Sequence, residues 1–358
     1  VVSIARWKNP TTPPDVRLAD LDFSFGSNAA FADAVRDDSD WMLVSCYYAP
    51  KLWELLYQPD KELFKAEYER VKEDESIPKK WMKARYILHC VLRESVETRQ
   101  YEHFTDEMNR HTPFKETIYS SNLCQEIALP TKSYENGIDD LNNPDADGEI
   151  ATCNLMGINV ATVNNDPELY YKAAYYSLLM CRLKILHGSY PFESMKRTSI
   201  ARMNAGVSMI SLAHLMAKNG MKYSSMFGKK FVHRLAELHS FSLHKAALEI
   251  GKKYGLPEWI GKTKYPDGWL PIDTRNEYAT QIAHQPLKQD WEELRKEIIA
   301  AGGIGFSVLE TMVPSESSSQ AQNATNGLYP IREGVIEKKD ATKKAQWIAP
   351  DLEELKEQ

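Results

Sequence analysis

The sequence lacks most features that would place it quickly. Its five cysteines, Cys46, Cys90, Cys124, Cys153 and Cys181, are odd in number, scattered and never paired as CxxC. That spacing excludes a disulfide framework and a zinc ribbon, and makes a reducing cytoplasm the expected setting. There is no basic excess: 44 Lys+Arg stand against 50 Asp+Glu, a formal charge of −6, so no nucleic-acid partner is expected. No apolar run approaches the roughly 18–20 residues that span a bilayer, so no membrane helix is expected. Near Val1 no charged stretch precedes an apolar one, and no secretory signal is read there. Neither an internal repeat nor a low-complexity linker interrupts the chain, which favours one integrated domain.

What is present is an ordinary globular composition, 43% hydrophobic and 26% charged over 358 residues, long enough for a large core. Helical periodicity begins near Pro59, with Leu63, Phe64, Tyr68 and Val71 spaced for one apolar face and a second helix from about Pro78. Residues 160–220 read as helix in two pieces divided near 188–191. A long helix is expected over 228–254, bounded by Gly255 and Pro257, and a short charged one over 290–301, ending at Gly302 and Gly303. Strand-like runs lie at 125–129, 149–155 and 306–313. Helices alternating with short apolar strands predict an α/β fold with a largely parallel sheet.

Three segments could carry chemistry. Asn122, Cys124 and Glu126 place an amide, a thiol and a carboxylate at alternate positions, on one face of an extended backbone. Alternate strand residues stand about 6.5–7 Å apart, too far for the outer pair to grip one small ring. A tight loop tip would draw them together, whereas a strand would simply bury a small cysteine between two solvated neighbours. Cys153, 29 positions downstream, would bring a second thiol to the same pocket if the two segments are neighbours. Otherwise it is core packing. After the apolar run 306–313, Pro314, Ser315, Glu316, Ser317 and Ser318 open a helix. Its first N–H groups suit a phosphate, and a Ser/Glu N-cap accounts for the same pattern.

Other motifs fail on inspection. Asn143, Asp145 and Asp147 before Gly148 imitate a calcium loop, but Pro144 interrupts it and the twelfth position is Asn154. Gly302, Gly303 and Gly305 lack the third glycine spacing of a dinucleotide fingerprint and read as a helix end. His233, His239 and His244 lie along one helix without zinc-ligand spacing and are expected at an interface or the surface.

Together, Ser121-Asn122-Leu123-Cys124-Gln125-Glu126-Ile127-Ala128-Leu129-Pro130-Thr131, then Gly148-Glu149-Ile150-Ala151-Thr152-Cys153, Pro314-Ser315-Glu316-Ser317-Ser318-Ser319-Gln320 and Asn323-Ala324-Thr325-Asn326-Gly327 resemble the large, catalytic subunit of class I ribonucleotide reductase, of the bacterial and T4-like phage type. Weaker likeness runs from about Arg17 to Leu355. The resemblance implies a ten-stranded α/β barrel of two five-stranded parallel halves, with the active cysteine on a central finger loop. Residues 1–115 would be the mostly helical end of the first half, 116–131 the finger loop, 132–337 the second half with the phosphate site, and 338–358 a truncated tail.

It further implies roles. Cys124 would be the transient thiyl radical, Glu126 the base on the 3′-hydroxyl, and Asn122 the amide holding the ribose hydroxyls. Cys153 would be one half of a redox disulfide. Ser121, Leu123 and Gln125 would touch substrate beside them, and residues 314–318 would bind its diphosphate. No cofactor is expected in this chain. A metal-containing radical cofactor, di-iron or related, is expected in a small partner subunit. A thioredoxin or glutaredoxin reductant, a ribonucleoside diphosphate substrate and a dimer are implied too, with ATP and dNTP effectors binding segments largely outside this chain. The family's second redox cysteine and its radical-relaying tyrosines have no counterpart here, so the sequence reads as an internal section completed by further segments, in cis or in trans. A catalytically silent nucleotide-binding or assembly remnant is the rival reading. A cobalamin-dependent reductase, which shares the Asn-x-Cys-x-Glu loop, is a third.

Overall fold

The structure, a computed structural model, describes residues 5–98, 101–143, 145–339 and 344–353. These residues form two compact units. One holds the described residues up to Thr112 together with Glu116–Leu123 and Ala128–Pro130; the other holds Pro113–Lys115, Cys124–Ile127 and the residues from Thr131 onward.

In the first unit, β1 (Ser24–Ser27) pairs in parallel with β4 (Tyr101–Phe104), and β2 (Asp40–Val44) pairs antiparallel with β3 (Lys79–Lys83). β3 lies where the sequence predicts the start of a second helix. Its Lys-Lys-Trp-Met-Lys run is held extended by Asp40–Val44 opposite, and the helix Ala84–Thr98 starts only after it. The helix Lys61–Glu73 is capped by Asp60, which accepts from the Glu62 N–H. Phe64 and Val71 are buried beneath it and Tyr68 is half-buried. Leu63, expected on the same face, is exposed.

The second unit is built on a parallel sheet of three strands, β5 (Asn154–Asn159), β6 (Asn204–Ile210) and β7 (Val308–Glu310), in that order. All seven residues of β6 are buried. The sequence reads this stretch as helix because a central parallel strand, covered on both faces, shows an unbroken apolar run without alternation. The helix Pro167–His187 and the long helix Met226–Tyr254 cover the sheet. Leu178, Ile185, Leu235, Leu243 and Ile250 join Val207, Met209 and Leu309 in one core. Ser225 caps the long helix through the Gly228 N–H, and Gly255, at φ +90°, ends it. Asp290 and Gly302 do the same for the helix Trp291–Ala301. β8 (Val335–Lys339) and β9 (Lys344–Ile348) form a separate antiparallel pair.

Among the described residues the nine strands form four separate sheets rather than a closed barrel. The expected tail at 338–358 lies partly outside the described residues.

Candidate active site

Residues 125–129, expected as a strand, are a loop. An antiparallel bridge between Ser121 and Ala128 closes a tip of residues 122–127. Inside it Gln125 has φ +58°, a left-handed conformation costing a non-glycine residue about 1–2 kcal/mol. That residue breaks the extended geometry that would spread alternate side chains along a line. Ser121, Asn122 and Leu123 belong to the first unit, and Cys124, Gln125 and Glu126 to the second.

Within the second unit, Glu126 is tied to the sheet by its backbone. The buried Thr311, just past β7, donates its hydroxyl to the Glu126 carbonyl at 2.5 Å. Among the described residues, one oxygen of the Glu126 carboxylate, Oε2, is buried without a hydrogen-bond partner, and a buried polar atom of this kind calls for a donor. Both neighbouring thiols feel this carboxylate. Burial pushes the Cys124 thiol above its usual range and Glu126 adds to the shift. Burial pushes Cys153 up to about 12, with the charges of Glu126 and Cys181 next. Cys124 is exposed and Cys153 half-buried, and all five cysteines are free. Both are therefore protonated thiols near neutral pH, suited to giving hydrogen rather than attacking as thiolates.

Cys153 immediately precedes β5 and faces Gly206 of β6. A Cβ at Gly206 would lie 2.8 Å from the Cys153 sulfur and 2.9 Å from the Thr311 methyl. Only glycine leaves room for both. The third thiol of this neighbourhood, Cys181, is buried in the helix Pro167–His187 and donates to the Asn154 carbonyl at 3.4 Å.

Three and four residues beyond Thr311, at Pro314 and Ser315, the chain turns into the short helix Glu316–Ala321. Thr311 and Ser315 are therefore no more than about 14 Å apart. Ser315 does not cap that helix with its side chain. Its N–H donates to Asn326 Oδ1 at 2.7 Å, and its hydroxyl accepts from the Gly327 N–H at 3.2 Å. Asn326 also donates to Glu316 at 2.7 Å. Asn326 and Gly327 thus fix the turn, while Pro314, Glu316, Ser317 and Ser318 are exposed.

A family model described as "Ribonucleotide reductase, barrel domain" matches residues 1–358. The chain belongs to that family. Ribonucleoside-diphosphate reductase subunit alpha of Haemophilus influenzae is 34% identical over 352 residues, covering 97% of this chain and 45% of that protein. Ribonucleoside-diphosphate reductase 1 subunit alpha of Escherichia coli is 34% identical over 359 residues, 99% of this chain and 46% of that protein. Subunit alpha of Enterobacteria phage T4 is 32% identical over 302 residues, 83% of this chain and 38% of that protein. The chain spans somewhat less than half the length of these relatives.

The sequence motifs single out Cys124, Glu126 and Cys153 as candidates but not Thr311, which holds the Glu126 carbonyl, or Gly206, which faces the Cys153 sulfur. Gly206 lies in a stretch that the sequence reads as helix and Thr311 in an apolar run, so neither stands out locally. The histidines correct an expectation. His239 and His244 are buried, not superficial, because they join an internal polar network on the sheet. The Tyr170 hydroxyl meets His239 Nδ1 at 2.9 Å, and His244 Nδ1 meets the Ser240 carbonyl at 2.8 Å. Burial pulls both imidazoles down to about 4. Ser240 donates to Glu310 at 2.6 Å, and burial pushes that carboxyl up to about 7. Among the described residues no cluster of three or more His, Cys, Asp or Glu side chains could hold a metal ion, and no helix is long and apolar enough to cross a membrane.

Proposed function

We propose that this chain supplies the radical-cysteine section of a ribonucleoside-diphosphate reductase, reducing ribonucleotides to deoxyribonucleotides. The observation that carries this reading is the placement of Glu126. Its charge acts on two protonated thiols, Cys124 and Cys153, and its backbone is fixed by Thr311, shortly before the turn at Pro314 and Ser315 gives way to a helix.

In the proposed reaction a thiyl radical on Cys124 removes the 3′-hydrogen of the ribose. Glu126, through its unpaired Oε2, takes the 3′-hydroxyl proton, which speeds loss of the 2′-hydroxyl. That hydroxyl leaves as water with a proton from one of two redox thiols, Cys153 and a partner supplied by another segment. The two thiols deliver two electrons and end as a disulfide, and Cys124 returns its hydrogen to C3′. Asn122 holds the ribose hydroxyls, with Ser121, Leu123 and Gln125 beside it. Pro314, Ser315, Glu316, Ser317 and Ser318 receive the diphosphate at the start of the helix.

The finer architecture belongs to the same proposal: a ten-stranded barrel completed by further segments, with 116–131 as its finger loop between residues 1–115 and 132–337. So do its partners and place: a small subunit carrying the metal-dependent radical, a thioredoxin- or glutaredoxin-class reductant, a dimeric complete enzyme, and the cytoplasm. The test supplies the complete subunit, its radical partner and a dithiol reductant with a ribonucleoside diphosphate. Deoxyribonucleotide should form with the parent sequence and be abolished in Cys124→Ser. Product formation that survives this substitution would remove Cys124 from the role.

A further inference from the structure

We propose that Glu149, with Arg202 and Lys262, is a positioning cluster that clamps both roots of the loop carrying Cys124. Calling that loop the active one rests on the function proposed above; the clamp itself rests on geometry alone.

The loop begins after Lys115 and ends at Lys132, and both of these roots belong to the second unit. At its entrance Phe114 is bridged to Thr263. The Lys115 N–H donates to the Lys262 carbonyl at 3.0 Å, and the Lys264 N–H to the Pro113 carbonyl at 2.7 Å. At its exit Lys132 is bridged to Glu149, with the Glu149 N–H donating to the Lys132 carbonyl at 2.9 Å and the reverse bond at 3.3 Å. Each root is therefore a short two-sided backbone pairing, which alone is marginal.

The side chains behind these pairings converge. Glu149 Oε2 accepts from Arg202 Nε at 2.7 Å and stands 2.6 Å from Nη2. Glu149 Oε1 accepts from Lys262 Nζ at 2.7 Å. The Arg202 guanidinium lies over the Phe114 ring at 5.6 Å and the Trp259 ring at 5.4 Å, and the Lys262 ammonium lies 3.9 Å from the Trp259 ring. Entrance and exit are thus joined through one carboxylate and one guanidinium. Arg202 is 1% exposed, Glu149 6% and Phe114 1%. Such a pair adds little net stability against an apolar substitute, but breaking it by removing one partner leaves an unpaired buried charge.

The cluster is also tied to the strands that carry the rest of the site. Arg202 stands two residues before β6, and its carbonyl accepts from the Ser307 N–H at 3.1 Å, at the start of the run into β7. Glu149 stands four residues before Cys153. One buried ion pair therefore sets the loop roots, the Cys153 segment and the approach to Thr311 on a common base. A planar, two-pronged cation is what this geometry requires, and lysine would supply charge without the fork.

The experiment measures hydrogen–deuterium exchange along the full chain together with the rate at which iodoacetamide alkylates Cys124. In Glu149→Gln the exchange of residues 113–132 should rise about tenfold or more, with a changed Cys124 alkylation rate, while β5–β7 stay protected. Arg202→Lys should fall between parent and Glu149→Gln. Because either substitution can unfold the chain, Lys262→Met is the milder probe: its side chain is 38% exposed, and a few-fold rise confined to the same residues is expected. Exchange that rises equally across β5–β7, or roots that stay as protected as in the parent in all three variants, would overturn the clamp. Neither readout involves ribonucleotides, so the clamp can fail while the reductase reading stands, and the reverse.

Discussion

The two sheets at the hearts of the two units are buried by different means. β2 and β3 fully bury only Met42 among their ten residues, and their cover comes from aromatic side chains: Trp41 stacks on Phe64 at 6.2 Å and on Tyr68 at 4.7 Å, with Phe31 edge-on at 5.2 Å. β6 lies between β5 and β7 with all seven of its residues buried. The first arrangement tolerates local adjustment, because large rings can repack around a half-open pair. The second does not, because a strand enclosed on both faces transmits any change to its neighbours. Cys153, Thr311 and the turn at Pro314 all lie along the enclosed sheet. The placement that the proposed chemistry would need is built where the backbone has least freedom.

The sharpest way to break this contrast is to open each sheet equally. Ile210→Ala in β6 should cost about 2–5 kcal/mol, and Leu43→Ala in the half-buried β2 about 1 kcal/mol, read from urea denaturation midpoints. Equal losses would erase the distinction. Next comes overfilling. Gly206→Ala should destabilise by about 1–3 kcal/mol and alter Cys153 alkylation, whereas Gly261→Ala, where nothing lies within 4 Å of the added carbon, should be close to neutral.

A third prediction uses the polar network behind β7. The Glu310 carboxyl is pushed from 4.5 up to about 7 in the folded chain, so folding favours its protonated form. Its contribution is present at low pH and is lost as pH rises through about 4.5 to 7. Glu310→Gln removes that loss. Its melting temperature should match the parent near pH 5 and exceed it near pH 8; a difference independent of pH would contradict the assignment. The smallest effects should treat both units alike. Asp60→Ala and Asp290→Ala each remove a helix cap and should each cost about 1 kcal/mol by denaturation.

The same contrast explains what the sequence disclosed. Helices with marked ends were legible: Ser225 and Gly255 bracket one, Asp290 and Gly302 another. β6 was not, because seven enclosed residues show no period of two. β3 was not, because three lysines in five residues carry no strand preference and are extended only by Asp40–Val44 opposite. At the candidate site, Cys124, Glu126 and Cys153 stand out in the sequence as candidate reactive groups in an order that resembles the family's. Thr311, Gly206 and Arg202 were not. Each acts through a partner far along the chain, and nothing local to a threonine, a glycine or an arginine announces which carbonyl, sulfur or carboxylate it will meet.

The central claim is that the sulfur of Cys124 takes and returns the hydrogen at the 3′-carbon of a ribonucleotide. The most direct measurement uses substrate deuterated at that carbon, turned over by the complete subunit with its radical partner and dithiol reductant. Slower turnover than with unlabelled substrate, with the deuterium retained at C3′ of the product and no turnover in Cys124→Ser, is the predicted result. Turnover by Cys124→Ser with the same isotope effect would contradict it.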